Sequence, residues 1–546
     1  ADICRPFLFH KYIFVKMCLN RKNRYLSSIV GGIILILCFP YSGSMTPLVF
    51  ASLIPLLCIE YCISQSNLSS KNVFLHAFIC FLIFNIGTSY WIYNSSASGG
   101  IFAFLFNTTM MCLAFQSFHF IKKHLGNRKG YLSLPFVWLG FEHVHSNWEF
   151  SHPWLSLGNV FSVRTNWIQW YEYTGVSGGT LWIIIVNLFL FLLLKRWMNN
   201  EETKKIRILS GIAIAIPILV SILVKRSFEH SIEQEKRNFE VVLVQPNIDP
   251  YNEKFTGGPH AQTNKFIQLA NSKITPNTKL VIFPETALSF SFFENEFHRL
   301  SIYPKYINAV QRWGADVLIG ASTMKRFDTK RSKASRENPD GTFTEYYNSS
   351  LLIKKNLKNK YIHKSKLVVG VEKIPYSDYF PMLEDIAIDN GGAVGSLGEE
   401  DTVKIFKTSN GTIAPIVCYE SIYPEFVAEQ CRKGAELLCV ITNDGWWGDT
   451  PGYKQHFSFA RLRAIENRRW LVRSANTGKS GVISPTGEVI SESKWWEEDV
   501  LLANTQLLSE KTIFSTYGDF LGRSAAFVWM LIFVYSISKK ILPSRR

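Results

Sequence analysis

The segment Thr412–Tyr423, TIAPIVCYESIY, carries an apolar run from Ile413 to Val417 into a single cysteine, Cys418. Tyr419 and Glu420 follow, then a helical pattern from Tyr423 through Cys431. Strand, sharp turn, nucleophile and helix, in that order, lift a reactive side chain above the edge of a sheet. A thiol is a poor nucleophile until it is ionised, and ionisation needs a base or a cation nearby. Alone, Cys418 reads as a buried structural thiol, since cysteine is among the most buried residue types. Two further stretches change that reading. Lys279–Leu288, KLVIFPETAL, ends an apolar strand in Pro284 and Glu285. That puts a carboxylate at a sheet edge, where sites form, although a solvated strand end would look the same. Tyr361–Tyr376, YIHKSKLVVGVEKIPY, sets Lys364 and Glu372 eight residues apart around an apolar Leu367-Val368-Val369 and Gly370. A charged loop fits this pattern; so does a lysine poised as an oxyanion donor, with a second carboxylate ordering it.

The elements that must position these groups divide the chain. At 546 residues it is too long for one ordinary domain. Hydrophobic residues make up 47% and aromatics 14%, but the first two-fifths is apolar and broken by short basic loops, whereas the middle is mixed. The formal net charge of +16 does not indicate nucleic acid, because many of the basic residues flank apolar segments and no basic stripe or recognition motif is present. Of ten cysteines, seven fall between positions 4 and 112; only Cys418, Cys431 and Cys439 lie in the mixed region. The absence of CxxC and of Cys/His ligand spacing predicts neither a zinc site nor a disulfide framework. No cleavable signal peptide is expected.

Apolar segments near the length needed to span a bilayer occur at roughly 26–41, 45–63, 72–93, 99–120, 131–142, 178–195, 206–224 and 524–542. With the arm bearing Arg5, Lys11, Lys16, Arg21, Lys22 and Arg24 placed in the cytoplasm, the inside loops 64–71, 121–130 and 196–205 are basic. The outside loops 42–44, 94–98 and 143–177 then hold one basic residue, Arg164. This positive-inside pattern puts both termini, including Lys539, Lys540, Arg545 and Arg546, in the cytoplasm and the mixed region outside it. Loop 143–177 holds Trp148, Trp154, Trp167 and Trp170, as an interfacial belt or as a lipid-facing entrance. The expected domains are a membrane helix bundle over 1–227, a catalytic domain over 228–515, and a last helix with a basic tail over 516–546.

In the middle region Phe239–Val244, Lys279–Phe283, Asp316–Ile319, Ser349–Ile353, Ile413–Val417 and Leu437–Thr442 read as buried strands. Helical patterns cover Gln262–Ser272, Phe293–Trp313 and His456–Arg469, giving a layered α/β domain. Lys325–Gly341 reads as a mobile polar loop.

Glu285 in FPETA, Lys364 in Y-x-x-K-x-x-L and Cys418 in VCYE, in this order, resemble the nitrilase or carbon–nitrogen hydrolase superfamily, with its Glu–Lys–Cys triad on an αββα sandwich. The membrane segments narrow the resemblance to the apolipoprotein N-acyltransferase family, through HPWLSLGN at 152–159, VQPNI at 244–248, NDGWWGD at 443–449, RLRAIENRR at 461–469 and RSANTGKSGVISPTGE at 473–488. The family's usual His before the Leu is Lys366 here, and Val369-Gly370-Val371 stands before Glu372 where Pro-Phe-Gly is usual. The Lys-to-Glu interval is kept, and Lys364 lies three residues before Leu367 as the family pattern requires.

The resemblance implies the fold class as well: an α-helical polytopic membrane domain of about eight transmembrane helices plus an extracytoplasmic α/β nitrilase-like αββα sandwich. It implies a phospholipid:apolipoprotein N-acyltransferase of the bacterial inner membrane, with the catalytic domain periplasmic. Glu285 is the base, Lys364 the oxyanion donor and Cys418 the carrier of an acyl thioester in a ping-pong reaction. Glu372, Tyr419, Glu420 and Asn348 support the triad; Trp446 and Trp447 contact substrate and limit water at a site near the bilayer surface. The partners are phosphatidylethanolamine as acyl donor, a diacylglyceryl apolipoprotein as acceptor, and the lipid bilayer; no metal or organic cofactor is implied. A membrane-anchored nitrilase-type amidase would need one anchor instead of eight helices. A transporter with an extracytoplasmic domain would place ionisable residues inside the helices, where Glu60 and His76 are the visible examples.

Overall fold

The computed structural model describes residues 20–232, 237–254, 258–355, 359–376, 379 and 396–541. Arg5, Lys11 and Lys16 of the expected basic arm, and Arg545 and Arg546 of the tail, lie outside the described residues. The chain forms two compact units: Ala1–Tyr90, Gly100–Lys225 and Asp519–Arg546 make one, and Trp91–Gly99 with Arg226–Gly518 make the other.

The first unit is helical. Six helices among the described residues are long and apolar enough to cross a membrane: Thr46–Ser64, Lys71–Ser89, Ala97–Leu125, Tyr171–Met198, Lys204–Ser231 and Phe520–Ile541. Helices also form at the two remaining apolar segments, as Arg21–Cys38 and Asn127–His145. The first of these carries Arg21, Lys22 and Arg24, and the second Arg128, Lys129 and Glu142, so each has a less uniformly apolar length. Lys204–Ile232 and Phe520–Ile541 turn Ile212, Leu219, Leu223, Phe527 and Leu531 outward, as a lipid solvent permits and water does not. Inside the bundle two buried ionisable clusters are paired. Glu60 bonds to Lys122 and, at 2.8 Å, to His119, while His76 meets Ser28 Oγ at 3.0 Å. Apolar surroundings leave ionisable groups no other stable arrangement. Loop 143–177 folds into short 3-10 turns, and Trp154 is fully buried there, a core residue and not part of an exposed belt.

The second unit is a double-layered α/β domain with fourteen strands among its described residues. They are β1 (Asn238–Gln245), β2 (Thr278–Ile282), β3 (Leu288–Phe293), β4 (Asp316–Phe327), β5 (Arg336–Glu337), β6 (Phe343–Ile353) and β7 (Lys360–His363). The remainder are β8 (Phe406–Lys407), β9 (Thr412–Val417), β10 (Leu437–Thr442), β11 (Leu471–Ala475), β12 (Gly481–Ile483), β13 (Val489–Glu492) and β14 (Asp499–Gln506). One sheet runs β14-β1-β2-β4-β6-β5, with β3 on β4 and β7 on β6; the other runs β13-β12-β11-β10-β9-β8. Neighbours β1–β2–β4 and β9–β10–β11 are parallel, and their continuous apolar runs are those of strands covered on both faces.

Alternation along the strands builds two cores. Val241, Leu243, Leu280, Ile282 and Leu318 face Ile413, Val417, Leu437, Cys439 and Ile441 of the other sheet. Val242, Val244, Val281, Val317 and Ile319 face outward, onto Phe266 and Ala270 of helix Pro259–Asn271 and Tyr306, Val310 and Trp313 of helix Tyr303–Trp313. Each such side chain contributes about 1.5–3 kcal/mol on burial. Helices Pro424–Arg432 and Pro451–Asn467 belong to the second sheet, where Gln430 Nε2 donates to Pro415 O on β9 at 2.7 Å.

Two expectations are corrected. The helical pattern Phe293–Trp313 is instead the end of β3, a 3-10 turn at Glu294–Arg299 and a helix only from Tyr303, because Pro304 fits the first turn of a helix and not its interior. Lys325–Gly341 is no mobile loop: β4 runs through Phe327, β5 pairs with β6, and Ser332 and Ser335 donate to Glu345 Oε1 at 2.7 and 2.5 Å. Its polarity serves internal hydrogen bonds.

Gly320 on β4 shows how tightly this frame holds the turn after β2. A methyl group there would come within 2.4 Å of Thr286 N, 2.6 Å of Glu285 Cα and 2.6 Å of Pro284 O, all backbone atoms. Gly320→Ala is therefore expected to destabilise the domain by about 1–3 kcal/mol and to displace the Glu285 turn. Thermal unfolding of the purified variant checks this, and an unchanged midpoint would contradict it.

Candidate active site

Cys418 follows β9 directly and opens a 3-10 turn, Cys418–Ile422, that leads into helix Pro424–Arg432. Its φ of +50° is left-handed, a conformation that costs a non-glycine residue about 1–3 kcal/mol unless its surroundings impose it. Ser421 Oγ donates to Cys418 O at 2.7 Å, and His456 Nε2 lies 3.1 Å from the same oxygen. Behind these, His456 Nδ1 is 2.9 Å from Asp444 Oδ1, and Arg473 Nη2 donates to Asp444 Oδ2 at 2.5 Å. Asp444, His456 and Arg473 are all fully buried.

Glu285 follows β2 through Pro284 and is buried, not a solvated strand end. Its Oε1 accepts from Asn348 Nδ2 at 2.8 Å and from Lys364 Nζ at 3.2 Å; its Oε2 accepts from the Asn443 backbone N–H at 3.1 Å. Lys364 is 1% exposed and also bonds Glu372 Oε1 at 3.0 Å, its backbone held by Asn348 O at 2.8 Å. Glu372 Oε1 takes the second Asn348 N–H at 2.9 Å, and its Oε2 takes the Val368 N–H at 2.8 Å. Asn348 on β6 thus spaces two carboxylates on either side of one ammonium. The side chain of Glu420 joins the two loops: Oε2 accepts from Val417 N at 2.8 Å, and Oε1 from Ser365 N at 2.6 Å and Lys366 N at 3.3 Å.

The electrostatics follow from burial and pairing. Burial raises Glu285, but Lys364, the Asn348 hydrogen bond and Lys254 outweigh it and hold the carboxyl below its ordinary value. Burial lowers Lys364, yet Glu285 and Glu372 hold it well above its usual range. The Cys418 thiol goes the other way, pushed up by burial and by Glu285, with Lys364 and the Thr442 hydroxyl pulling it down. At rest the site therefore holds a neutral thiol beside an ionised carboxylate and an ammonium, which is the state from which a base can take the thiol proton.

Every residue singled out in the sequence around the base and the lysine is brought together: Glu285, Lys364, Glu372 and Asn348 share hydrogen bonds, and Glu420 ties the Lys364 loop to the Cys418 turn. Tyr419 is buried with its ring edge-on to Tyr423, centroids 5.5 Å apart. Trp446 and Trp447, on the 3-10 turn Asp444–Trp447, are both half-buried, and each packs on a different ring: Trp446 on Tyr251 at 5.1 Å, Trp447 on Trp91 at 4.7 Å. Sequence reasoning missed Lys254, Ser421, Thr442, Asp444, His456 and Arg473. Asp444, His456 and Arg473 lie in or beside the motifs NDGWWGD, HFSFARLRAIENRR and RSANTGKSG, but nothing in the spacing disclosed that they meet. Lys254 gave no signal in a polar turn.

Glu420→Gln replaces one acceptor oxygen by a donor facing backbone N–H groups. The expected cost is about 1–3 kcal/mol for the unmet donor, with faster alkylation of Cys418 by iodoacetamide as its turn comes loose from the Lys364 loop. Calorimetry and mass-resolved alkylation rates check both effects; a variant indistinguishable from its parent in both contradicts this account of Glu420.

Residues 241–511 match the family model for carbon-nitrogen hydrolase, and residues 31–189 match that of the apolipoprotein N-acyltransferase N-terminal domain. The chain is 30% identical to the apolipoprotein N-acyltransferase of Chlorobaculum tepidum over 505 residues, covering 90% of this chain and 92% of that one. It is 25% identical to the protein of the same name from Geobacter metallireducens, covering 91% of this chain and 92% of the relative. For the Aquifex aeolicus protein of that name the identity is 27%, over 68% of this chain and 75% of the relative. With a carbon–nitrogen hydrolase domain, an apolar helical unit of the matching N-terminal type and this extent of likeness, the chain belongs to the apolipoprotein N-acyltransferase family.

Proposed function

We propose that the chain moves an acyl chain from a phospholipid onto the α-amino group of the N-terminal diacylglyceryl-cysteine of a lipoprotein, through a thioester on Cys418. The observation that carries this reading is the cluster of buried Glu285 and Lys364 with half-buried Glu372, held by Asn348 and coupled through Glu420 to the strained Cys418 turn. Glu285 takes the thiol proton as Cys418 Sγ attacks the donor's ester carbonyl. The carbonyl π pair moves onto oxygen, and Lys364 Nζ meets that oxyanion. Collapse breaks the ester bond, and the lysophospholipid alkoxide leaves with the proton from Glu285. In the second half the amine attacks the thioester carbonyl and passes a proton to Glu285. The C–S bond then breaks and Cys418 recovers the proton, leaving an amide.

Phosphatidylethanolamine is the proposed donor. The thioester requires exclusion of water, a task that suits Trp446 and Trp447. We place the catalytic domain, 228–515, on the periplasmic side of a bacterial inner membrane, with eight crossings in all and both termini cytoplasmic, on the strength of the positive-inside pattern.

Incubation with labelled phosphatidylethanolamine should add one acyl mass to the tryptic peptide containing Cys418. Cys418→Ala should abolish loading and transfer, and Cys418→Ser should be nearly as poor, because a hydroxyl ionises far less readily than a thiol. Glu285→Gln should prevent loading, and so should Lys364→Arg, since a planar fork does not replace a compact ammonium. Turnover by Cys418→Ala would reject the thioester. Sidedness is tested separately: Lys330→Cys should react with an impermeant maleimide in intact spheroplasts and Ile541→Cys only after the membrane is opened, with the reverse pattern refuting the topology.

A further inference from the structure

A second lysine reaches the same buried cluster from a different part of the chain. Lys254 lies on the turn after β1 and is only 4% exposed. Its backbone is fixed from both sides: its N–H donates to Asp249 O at 2.9 Å, and its carbonyl accepts from Gln262 Nε2 at 2.9 Å. The ammonium donates to the Thr286 hydroxyl and, at 3.4 Å, to the Glu285 carbonyl. On its other side stands the Asn443 amide. Two donors, Lys254 Nζ at 3.1 Å and the Trp446 indole N–H at 3.3 Å, converge on one edge of that amide, so its oxygen belongs there. The backbone N–H of the same Asn443 holds Glu285 Oε2 at 3.1 Å. Thr286, which Lys254 grips, has a φ of +47°, a left-handed turn that needs outside support.

We propose that Lys254 is a positioning residue for the base, pinning the strained Glu285–Thr286 turn to the Asn443–Trp447 segment. The inference rests on Glu285 acting as the base. A buried ammonium costs several kcal/mol to desolvate, and a hydroxyl with two carbonyl oxygens would be satisfied as well by a neutral amide. What a lysine adds is charge. Glu285 faces Lys364 from the loop after β7, Lys254 from the turn after β1, Cys418 from the turn after β9, and Glu372 across Asn348 and Lys364. Two cations against two carboxylates leave the cluster near neutrality before the thiol ionises, and Lys254 is one of those two cations. Burial pulls Lys254 itself down to about 8, opposed by Glu285 and Cys418, so the charge is present through neutral pH.

The sign of the effect distinguishes positioning with charge from mere support. Removing a cation beside Glu285 raises the pH at which its carboxyl ionises, so the acid limb of the loading reaction must move to higher pH. A loss of packing alone would lower the rate without moving the limb. Single-turnover loading of Cys418 from labelled phosphatidylethanolamine in mixed micelles, read by mass spectrometry between about pH 4 and 8, measures both. Lys254→Gln, which keeps a donor and drops the charge, should shift the acid limb upward by about one to three pH units, the range for a carboxyl that loses a neighbouring cation. Lys254→Met should shift it equally and lower the plateau further, because the tie to Thr286 is lost as well. Thr286→Val leaves the charge and removes its hydroxyl anchor; it should lower the plateau and leave the limb in place. A limb that stays within about 0.2 pH unit in Lys254→Gln overturns the role of charge. A plateau unaltered in Thr286→Val overturns the positioning role, and this remains decisive if the Lys254 variants cannot be purified. Normal loading by Glu285→Gln would overturn the assignment of the base; a stationary limb with Glu285→Gln inactive overturns only the role of Lys254.

Discussion

The structure of the catalytic domain is arranged around one difficulty, which is that Glu285 and Lys364 carry charge away from water. Desolvating such groups costs several kcal/mol each, and mutual attraction compensates only when geometry is good and the remaining donors and acceptors are met. Here they are met. Lys364 bonds the carboxylates of Glu285 and Glu372, Asn348 gives one N–H to each, and the backbone N–H groups of Asn443 and Val368 take the remaining oxygens. The partners come from the ends of β2, β7 and β10 and from the middle of β6. Only a sandwich that brings these strand ends to one place can hold the cluster, so the cores on both faces of β1, β2 and β4 serve the site as much as they serve stability.

A second cost lies in the backbone. Cys418 and Thr286 both adopt left-handed φ, and Thr286 directly follows Glu285. Neither is glycine, so each turn must be imposed from outside. Thr286 is held by Lys254 and by the close approach of Gly320. Cys418 is held through its carbonyl by Ser421 and His456, the latter fixed by the buried Asp444–Arg473 pair. Burial and Arg473 keep His456 below its ordinary pKa, with Asp444 acting the other way. His456 reaches the turn at the Cys418 carbonyl, 3.1 Å from its Nε2, a geometry that fits a support for the turn.

Much of this was legible in the sequence, for physical reasons that also explain the rest. β9, β10 and β2 were readable because strands buried on both faces are continuous apolar runs, and Leu437–Thr442 matches its expected limits. Cys418 and Glu285 were readable because each ends such a run. Short strands such as β7 and β12, with four and three residues, carry too little pattern to stand out, and β3 went unread, only its last residue, Phe293, falling inside the helical pattern Phe293–Trp313. The polar stretch after Lys325 was misread because composition reports how hydrophilic a segment is and not whether its polar groups are satisfied internally. Lys254 and His456 were silent for a related reason: a buried polar side chain is defined by what the fold places opposite it, and no local spacing encodes that.

The segment Asn443–Trp447 is where these separate devices meet. Its backbone N–H at Asn443 holds the carboxylate of Glu285, its Asn443 side chain receives Lys254, and the Asp444 side chain orients His456 beneath Cys418. Two residues further on, Trp446 and Trp447 lie half-buried against Tyr251 and Trp91, and the Trp447 ring stands edge-on to His456 at 5.5 Å. Neighbouring residues of one strand-end turn therefore contact the base, the support of the nucleophile and the aromatic surface. Gly445 cannot take a side chain without striking Thr477 Oγ1 at 2.1 Å, so the turn is packed from behind. A displacement of the indoles would be carried within two residues to both reacting groups, because the short 3-10 turn between them offers little slack. The tryptophans thus follow closely on the residues that hold Glu285 and orient His456.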